Sequence, residues 1–462
     1  MLDAYSGFNA MPQASNPPSQ VALMWQSLLS IVGLNLLVRA AWILNVHPRP
    51  ISDFAFYFGA ATRLAAGQGY TLNGQPTAYW PAGWPLALAA LFRAFGSQLW
   101  VGLVFQLALT TAIAVLIALL AHRVSGSWAA ATIAAAAWTL LPGELGWTSV
   151  LGTEPLFTLL TLAALYALTA GPDRRMLVLA GALLGAACWV RPTPLIFPVV
   201  LAVLFVIDHR GWQAAISKAA LVLGVMLIVI APLTLRNYAK LGAVVLVSTN
   251  GGVNLWQGVH TDTGYWWPSD PHENPLVGVK DEVERDRLGQ RLFFQHAIAH
   301  PADVATHAVA KIASLYGPPS TVWLFVAGGW GERTAAVIKT SATIAYVVFM
   351  LAALLGIVWT WRPQRWATTL LLGFAAYYSA VWSVFPAWDR FRYPLMPIFA
   401  VFVGISAVRL WARVHGAQPA DGAQGSIPVP REGHEEDGRA TTRTSSMPGT
   451  ATRSSTRSAG IG

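Results

Sequence analysis

Asp53 heads the run Asp53-Phe-Ala-Phe-Tyr-Phe-Gly-Ala-Ala-Thr-Arg63-Leu-Ala-Ala-Gly-Gln-Gly-Tyr70, just beyond a hydrophobic stretch, Val21 to Val46, long enough to cross a bilayer. A carboxylate costs several kcal/mol in hydrocarbon. One fixed at a membrane surface among aromatic residues, where reactants from lipid and water can meet, points to chemistry. The competing reading is a helix cap, because Ser52-Asp53 before a helical run is a common start. Glu154, in Thr153-Glu154-Pro155-Leu, opens a later apolar helix, where its charge also complements the helix dipole. Glu144, in Leu141-Pro-Gly-Glu144-Leu-Gly-Trp147, shares its loop and reads as an interfacial residue. Arg390 and Arg392 flank Phe391 just before the last apolar run, where arginines commonly snorkel to headgroups.

Membrane helices must position these groups. Of 462 residues, 55% are hydrophobic and only 11% charged, with a mean hydropathy of +0.49, against a soluble average of about 25% charged. The net charge of +9 does not mark a nucleic-acid binder, because the positive residues are scattered over short loops and the C-terminal tail instead of forming one basic face. The single cysteine, Cys188, lies inside an apolar run, so no intramolecular disulfide and no Cys-based metal site can form. Neither a Gly-rich phosphate loop nor a tandem repeat is present, which argues against a nucleotide-driven mechanism.

Apolar runs predict about ten transmembrane helices, near 21–46, 99–121, 127–142, 153–170, 176–190, 193–208, 219–235, 336–361, 366–384 and 394–412. Arg123, Arg174 with Arg175, Arg210 with Lys218, and Arg362 with Arg365 then fall on one side, joined by Arg413. Glu144, Arg191 and Asp389-Arg390-Phe-Arg392 fall on the other. The positive-inside rule places both termini in the cytoplasm and Asp53 outside.

The chain divides into a cytoplasmic leader (1–20), a transmembrane catalytic module (21–235) with an external loop at 47–98, an external segment (236–335), C-terminal transmembrane helices (336–413) and a polar, disordered cytoplasmic tail (414–462). The two external segments are too long to be mere connectors. In the first, Asp53 to Ala66 predicts a helix lying along the surface, followed by the turn-rich Asn73-Gly-Gln-Pro76 and the return Tyr79-Trp80-Pro81-Ala-Gly-Trp84-Pro85. In the second, Ala243-Val-Val-Leu-Val-Ser248 reads as a strand, Pro268 to Pro275 as a loop, and residues near 280–300 as a polar helix.

Several motifs, in this order, resemble bacterial glycosyltransferase family 39. They are the aromatic-flanked Asp53, the Tyr79-Trp80-Pro return, Thr153-Glu154-Pro155-Leu-Phe-Thr-Leu-Leu, Pro232-Leu-Thr-Leu-Arg236-Asn237-Tyr238, Ser248-Thr-Asn250-Gly-Gly-Val-Asn-Leu-Trp256 and Arg390-Phe-Arg392-Tyr393-Pro394. That family belongs to the GT-C membrane glycosyltransferases, with the protein O-mannosyltransferases and the lipid A aminoarabinose transferase. The resemblance covers about Val21 to Val414.

The resemblance implies a GT-C fold in a bacterial cytoplasmic membrane. It also implies transfer of a hexose or pentose from a polyprenyl-phosphate donor, on the outer face, to a lipid, polymer or protein acceptor. Asp53 would be the general base of an inverting displacement, and Glu154 would orient the acceptor or assist. Fixed arginines could stabilise the lipid phosphate as its charge grows. Arg191, Arg236, Arg390 and Arg392 are the outward candidates, with Arg63, Asn250 and Tyr393 also assigned to substrate. Tyr79, Trp80, Trp84, Trp256, Trp266 and Trp267 could stack on sugar or prenyl units, although most of the 21 tryptophans of such a chain are interface anchors.

No cofactor is called for, and a role for a divalent cation stays open. His296 and His300, spaced i, i+4 with His307 beyond, are compatible with metal binding, but a solvated helix face fits better because no acidic partner completes the set. The main rival function is a transporter or flippase of lipid-linked sugars, which would place charge at the bilayer midplane and often shows inverted repeats. A non-catalytic scaffold is the second.

Overall fold

The computed structural model describes residues 19–48, 51–171, 173–208, 211–261, 267–360 and 366–416. The leader to residue 18, Arg210, Trp266, Arg362, Arg365 and the tail from residue 417 lie outside the described residues. The described chain is all-α apart from one two-residue hairpin.

The helices follow in order: α1 (Gln20–Asn45), α2 (Asp53–Ala65), α3 (Gly83–Phe95), α4 (Leu99–Ser125), α5 (Trp128–Leu140), α6 (Pro142–Gly146), α7 (Glu154–Thr169), α8 (Arg174–Val190) and α9 (Phe197–Ile207). After these come α10 (Trp212–Leu241), α11 (Gly251–Gly258), α12 (Glu282–Ala299), α13 (Pro301–Leu315), α14 (Val322–Val326), α15 (Glu332–Thr360), α16 (Trp366–Val384) and α17 (Met396–Val414). Side-chain caps start several of them: Ser127 accepts from Ala130 N at 3.2 Å, Asp173 from Met176 N at 2.9 Å, and Asp281 from Val283 N and Glu284 N at 2.9 and 2.7 Å.

Each of the ten apolar runs is helical. Among the described residues, six helices are long and apolar enough to cross a membrane: α1, α4, α10, α15, α16 and the Asp389–Val414 segment that ends in α17. A seventh arises if α6 with its following turn (Pro142–Ser149) and α7, which meet at 118°, form one broken span. At thirteen residues, α5 is shorter. Its buried alanines Ala130, Ala131, Ala134 and Ala135 let it pack closely against α1, α4 and α17.

Residues 53–65 and 282–299 are helical as expected (α2 and α12), but residues 243–248 are not a strand. Their carbonyls are taken by side chains of α10: Asn237 Nδ2 donates to Val245 O and Val247 O at 3.1 and 3.2 Å, and Thr234 Oγ1 to Leu246 O at 3.0 Å. A segment whose acceptors are spent on a neighbouring helix has no ladder to offer. The hairpin Thr71–Leu72 with Gln75–Pro76 turns at Asn73 and Gly74, both at positive φ (51° and 79°), the primed turn that an Asn-Gly pair favours.

Two clamps fasten that hairpin. Arg236, on α10, donates to Thr77 O at 2.6 Å and Tyr70 O at 2.9 Å. Glu282, on α12, accepts from Thr77 Oγ1 at 2.6 Å and Ala78 N at 2.7 Å. α10 and α12 thereby hold the loop that returns to α3 beside the aromatic face of α2.

Candidate active site

Four charged side chains from four separate parts of the chain meet at one end of the bundle. Asp53 is the first residue of α2, Glu154 the first of α7, Arg191 follows the last residue of α8, and Arg390 lies in a 3-10 turn, Asp389–Leu395, that leads into α17. Arg390 Nη1 is 2.8 Å from Asp53 Oδ2. Arg390 Nε donates to Glu154 Oε1, which also takes Arg191 Nη2 at 2.5 Å. Arg191 Nε donates to Thr153 Oγ1 at 2.8 Å. The two guanidiniums are thus bridged by one carboxylate, and one of them continues to the second.

Burial separates the roles of the two acids. The Glu154 side chain is 1% exposed and that of Asp53 31%. Glu154 is therefore the internal counter-ion of Arg191 and Arg390, aided by its place at a helix N-terminus. Asp53 keeps a face to which a reactant has access. The start of α2 carries no side-chain cap hydrogen bond, so the Asp53 carboxylate serves the ion pair and not the cap.

Aromatic rings wall the centre. Arg390 lies 5.4 Å from the Trp147 ring and Arg191 5.3 Å from Phe391, which itself stacks on Trp382 at 3.9 Å and Trp388 at 5.5 Å. Tyr57, one turn after Asp53, is buried and within electrostatic range of Asp53, Arg390, Arg191 and Glu154. Burial, followed by the Asp53 charge, raises its hydroxyl well above the usual tyrosine range, so Tyr57 is a neutral hydrogen-bond donor at any working pH. It was not among the residues singled out above, although the i, i+4 spacing from Asp53 on a helix would have found it.

Close packing fixes the centre at Gly152. A Cβ there would stand 2.2 Å from Glu154 Oε2, inside any contact distance. Gly152→Ala is therefore expected to displace the Glu154 carboxylate, destabilising the fold by about 1–3 kcal/mol. A lowered melting temperature of the purified variant, together with reduced turnover, checks this.

The other residues expected at the site lie elsewhere. Arg392 turns away from the cluster: Nη1 donates to Leu315 O at 3.0 Å and to Gly317 O, and its guanidinium lies 4.1 Å over Tyr346. Tyr393 is buried against Trp138. Arg63 Nη2 donates to Thr71 O at 3.0 Å, and Arg236 forms the loop clamp described above. The Asn250 side chain accepts from Ser248 Oγ at 2.9 Å. Trp256 is buried with Val253, Leu276, Tyr79 and Trp267. Trp80 is half-buried, its ring 4.1 Å from Phe56 of α2, the helix that Asp53 begins.

Glu144 belongs to a different set. Its backbone carbonyl accepts from Arg39 Nη1 at 3.2 Å, and its buried Oε2 meets no donor among the described residues. His296 lies near His300 and His260, with ring centroids 5.0 and 5.5 Å away, and 4.0 Å from Asp303. Among the described residues no group of three or more His, Cys, Asp or Glu side chains is placed to hold a metal.

No protein-family model and no curated protein matches the chain. Among solved structures, it is similar to the Archaeoglobus fulgidus oligosaccharyltransferase tethered by a disulfide to an acceptor peptide containing the NVT sequon. The two share 14% identity, with a TM-score of 0.49, over 85% of this chain and 50% of that one. It is also similar to ArnT from Cupriavidus metallidurans bound to undecaprenyl phosphate, at 13% identity and a TM-score of 0.39, over 86% of this chain and 79% of that one. The chain spans half the length of the oligosaccharyltransferase.

Proposed function

We propose that the chain is a membrane glycosyltransferase of the GT-C type that moves a sugar from a polyprenyl-phosphate donor to an acceptor hydroxyl on the outer face of a bacterial cytoplasmic membrane. The observation that carries this reading is a partly exposed carboxylate, Asp53, held 2.8 Å from a guanidinium that shares a buried counter-ion with a second guanidinium. A base and a cationic anchor for a leaving phosphate thus stand side by side.

In the proposed step Asp53 takes the acceptor O–H proton as that oxygen attacks the anomeric carbon from the face opposite the phosphate. The bond between the anomeric carbon and the phosphate oxygen breaks with inversion, and its electron pair stays on the polyprenyl phosphate. The two guanidiniums are balanced by Glu154 and Asp53 until Asp53 takes the proton; its neutralisation then leaves Arg390 and Arg191 against Glu154 alone, so the growing phosphate charge meets a net cationic centre. Tyr57 supplies a neutral donor beside it. The step as written uses no cofactor.

The test supplies the purified full chain in proteoliposomes with radiolabelled undecaprenyl-phosphate hexoses and pentoses. Release of undecaprenyl phosphate, with label passing to an added acceptor or to water, is expected. Movement of intact labelled lipid between leaflets without cleavage would instead establish a flippase. In a Cys188→Ala background a membrane-impermeant thiol reagent should reach a cysteine placed at the exposed Gly278 from the face on which donor is consumed.

A further inference from the structure

The first spanning helix carries a polar ladder that is not part of the ion-paired centre. Asn35, Arg39 and Trp42 stand at i, i+4 and i+7 on α1, and Asn35 and Arg39 are fully buried. A guanidinium inside a membrane helix is expensive; Arg39 offsets that cost through Nε and Nη1, while its Nη2 meets no hydrogen-bond partner among the described residues. Arg39 Nε donates to Asn35 Oδ1 at 2.9 Å, and its guanidinium lies 4.3 Å over the Trp138 ring. Asn35 is in turn fixed by Thr111 Oγ1 at 3.0 Å and Thr139 Oγ1 at 3.2 Å.

The remaining bonds of the ladder all go to one segment, residues 144–149. Arg39 Nη1 donates to Glu144 O at 3.2 Å and to Thr148 Oγ1, and Trp42 Nε1 donates to Ser149 Oγ at 3.2 Å. From the other side Gln106, on α4, donates to Trp147 O at 3.4 Å and to Val150 O. This segment presents Trp147 to Arg390 at 5.4 Å and runs directly into Gly152, Thr153 and Glu154.

We infer that Arg39 is a positioning residue: through Thr148 and the Glu144 carbonyl it sets the 144–149 segment, and so fixes where Trp147 and Glu154 hold Arg390. Among the described residues neither Arg39 nor Thr148 is hydrogen-bonded to the four charged groups, so the effect passes through backbone placement. Its consequence for turnover rests on the transferase reading, whereas its consequence for geometry does not.

Thr148→Val removes the hydroxyl at nearly constant volume, and Thr148→Ser retains it. The full chain is labelled with 5-fluorotryptophan in nanodiscs, and the Trp147 fluorine resonance is assigned by its loss in Trp147→Phe. Thr148→Val is expected to shift that resonance and to lower kcat about tenfold, with KM for the undecaprenyl-phosphate sugar changed less than about twofold, because small misplacements act on the chemical step. Thr148→Ser should return both to the parent values. An unmoved resonance in the valine variant overturns the inference, as does a moved resonance with unchanged kcat. If the parent turns over no donor, the transferase reading falls, and the fluorine shift and its rescue by serine still decide the positioning claim.

Discussion

Asp53→Asn is expected to fold as the parent does and to turn over donor about 10²–10⁴-fold more slowly, the usual contribution of a positioned general base. Asparagine keeps the shape of the side chain and can still accept a hydrogen bond from Arg390, but it cannot take a proton. Because Asp53 is 31% exposed and Arg390 keeps Glu154 as a counter-ion, loss of this ion pair should cost less stability than loss of the Glu154 charge. A single-turnover assay with radiolabelled donor, paired with a thermal unfolding curve, separates the two effects. Turnover within about threefold of the parent would show that Asp53 is not the base. A large drop in melting temperature would show instead that its charge holds the fold.

Glu154→Gln carries the opposite expectation, a large loss of stability together with activity. The carboxylate is buried between Arg191 Nη2, at 2.5 Å, and Arg390 Nε. Neutralising it leaves two guanidiniums close together with no shared counter-ion. Breaking a buried ion pair in this way costs about 3–5 kcal/mol, far more than the intact pair contributes relative to apolar residues. Adding Arg191→Met to Glu154→Gln removes one of the stranded charges, so the double variant should recover part of that stability, a coupling that a double-mutant cycle measures directly. If Glu154→Gln unfolds at the parent midpoint, Glu154 is not the counter-ion that holds the cluster. If it is stable but inactive, the role of Glu154 is to orient a reactant.

The contrast between Arg390 and Arg392 shows where reading a sequence stops. Two residues apart, both sit before the last span, and nothing in their flanks distinguishes them. In the structure they occupy a 3-10 turn, where each residue advances by about 120°. Positions two apart therefore point in different directions, one toward Glu154 and Asp53 and the other toward the carbonyls of Leu315 and Gly317. Arg236 is a similar case. It sits at the end of a span, as a phosphate ligand would, yet its donors close on the carbonyls of Tyr70 and Thr77 because a hairpin from elsewhere in the chain folds over it. Arg39 is the converse. An arginine inside an apolar run, four residues after an asparagine on the same helical face, was visible in the sequence, but its partners Glu144 and Thr148 were not.

By itself the sequence determined the ten helical runs, the helix that begins at Asp53 and the types of group available for chemistry. Apolar run length, capping residues and turn chemistry act over a few neighbours, so they are written locally. Which of those groups meet was decided by tertiary structure. The contacts of Arg390 join it to residues 236 and 337 positions away, and long-range pairing of this kind depends on how helices stack and how the long loops close, which no local pattern encodes. The same packing left Asp53 partly open and Glu154 sealed, and so gave two carboxylates of similar intrinsic chemistry different work.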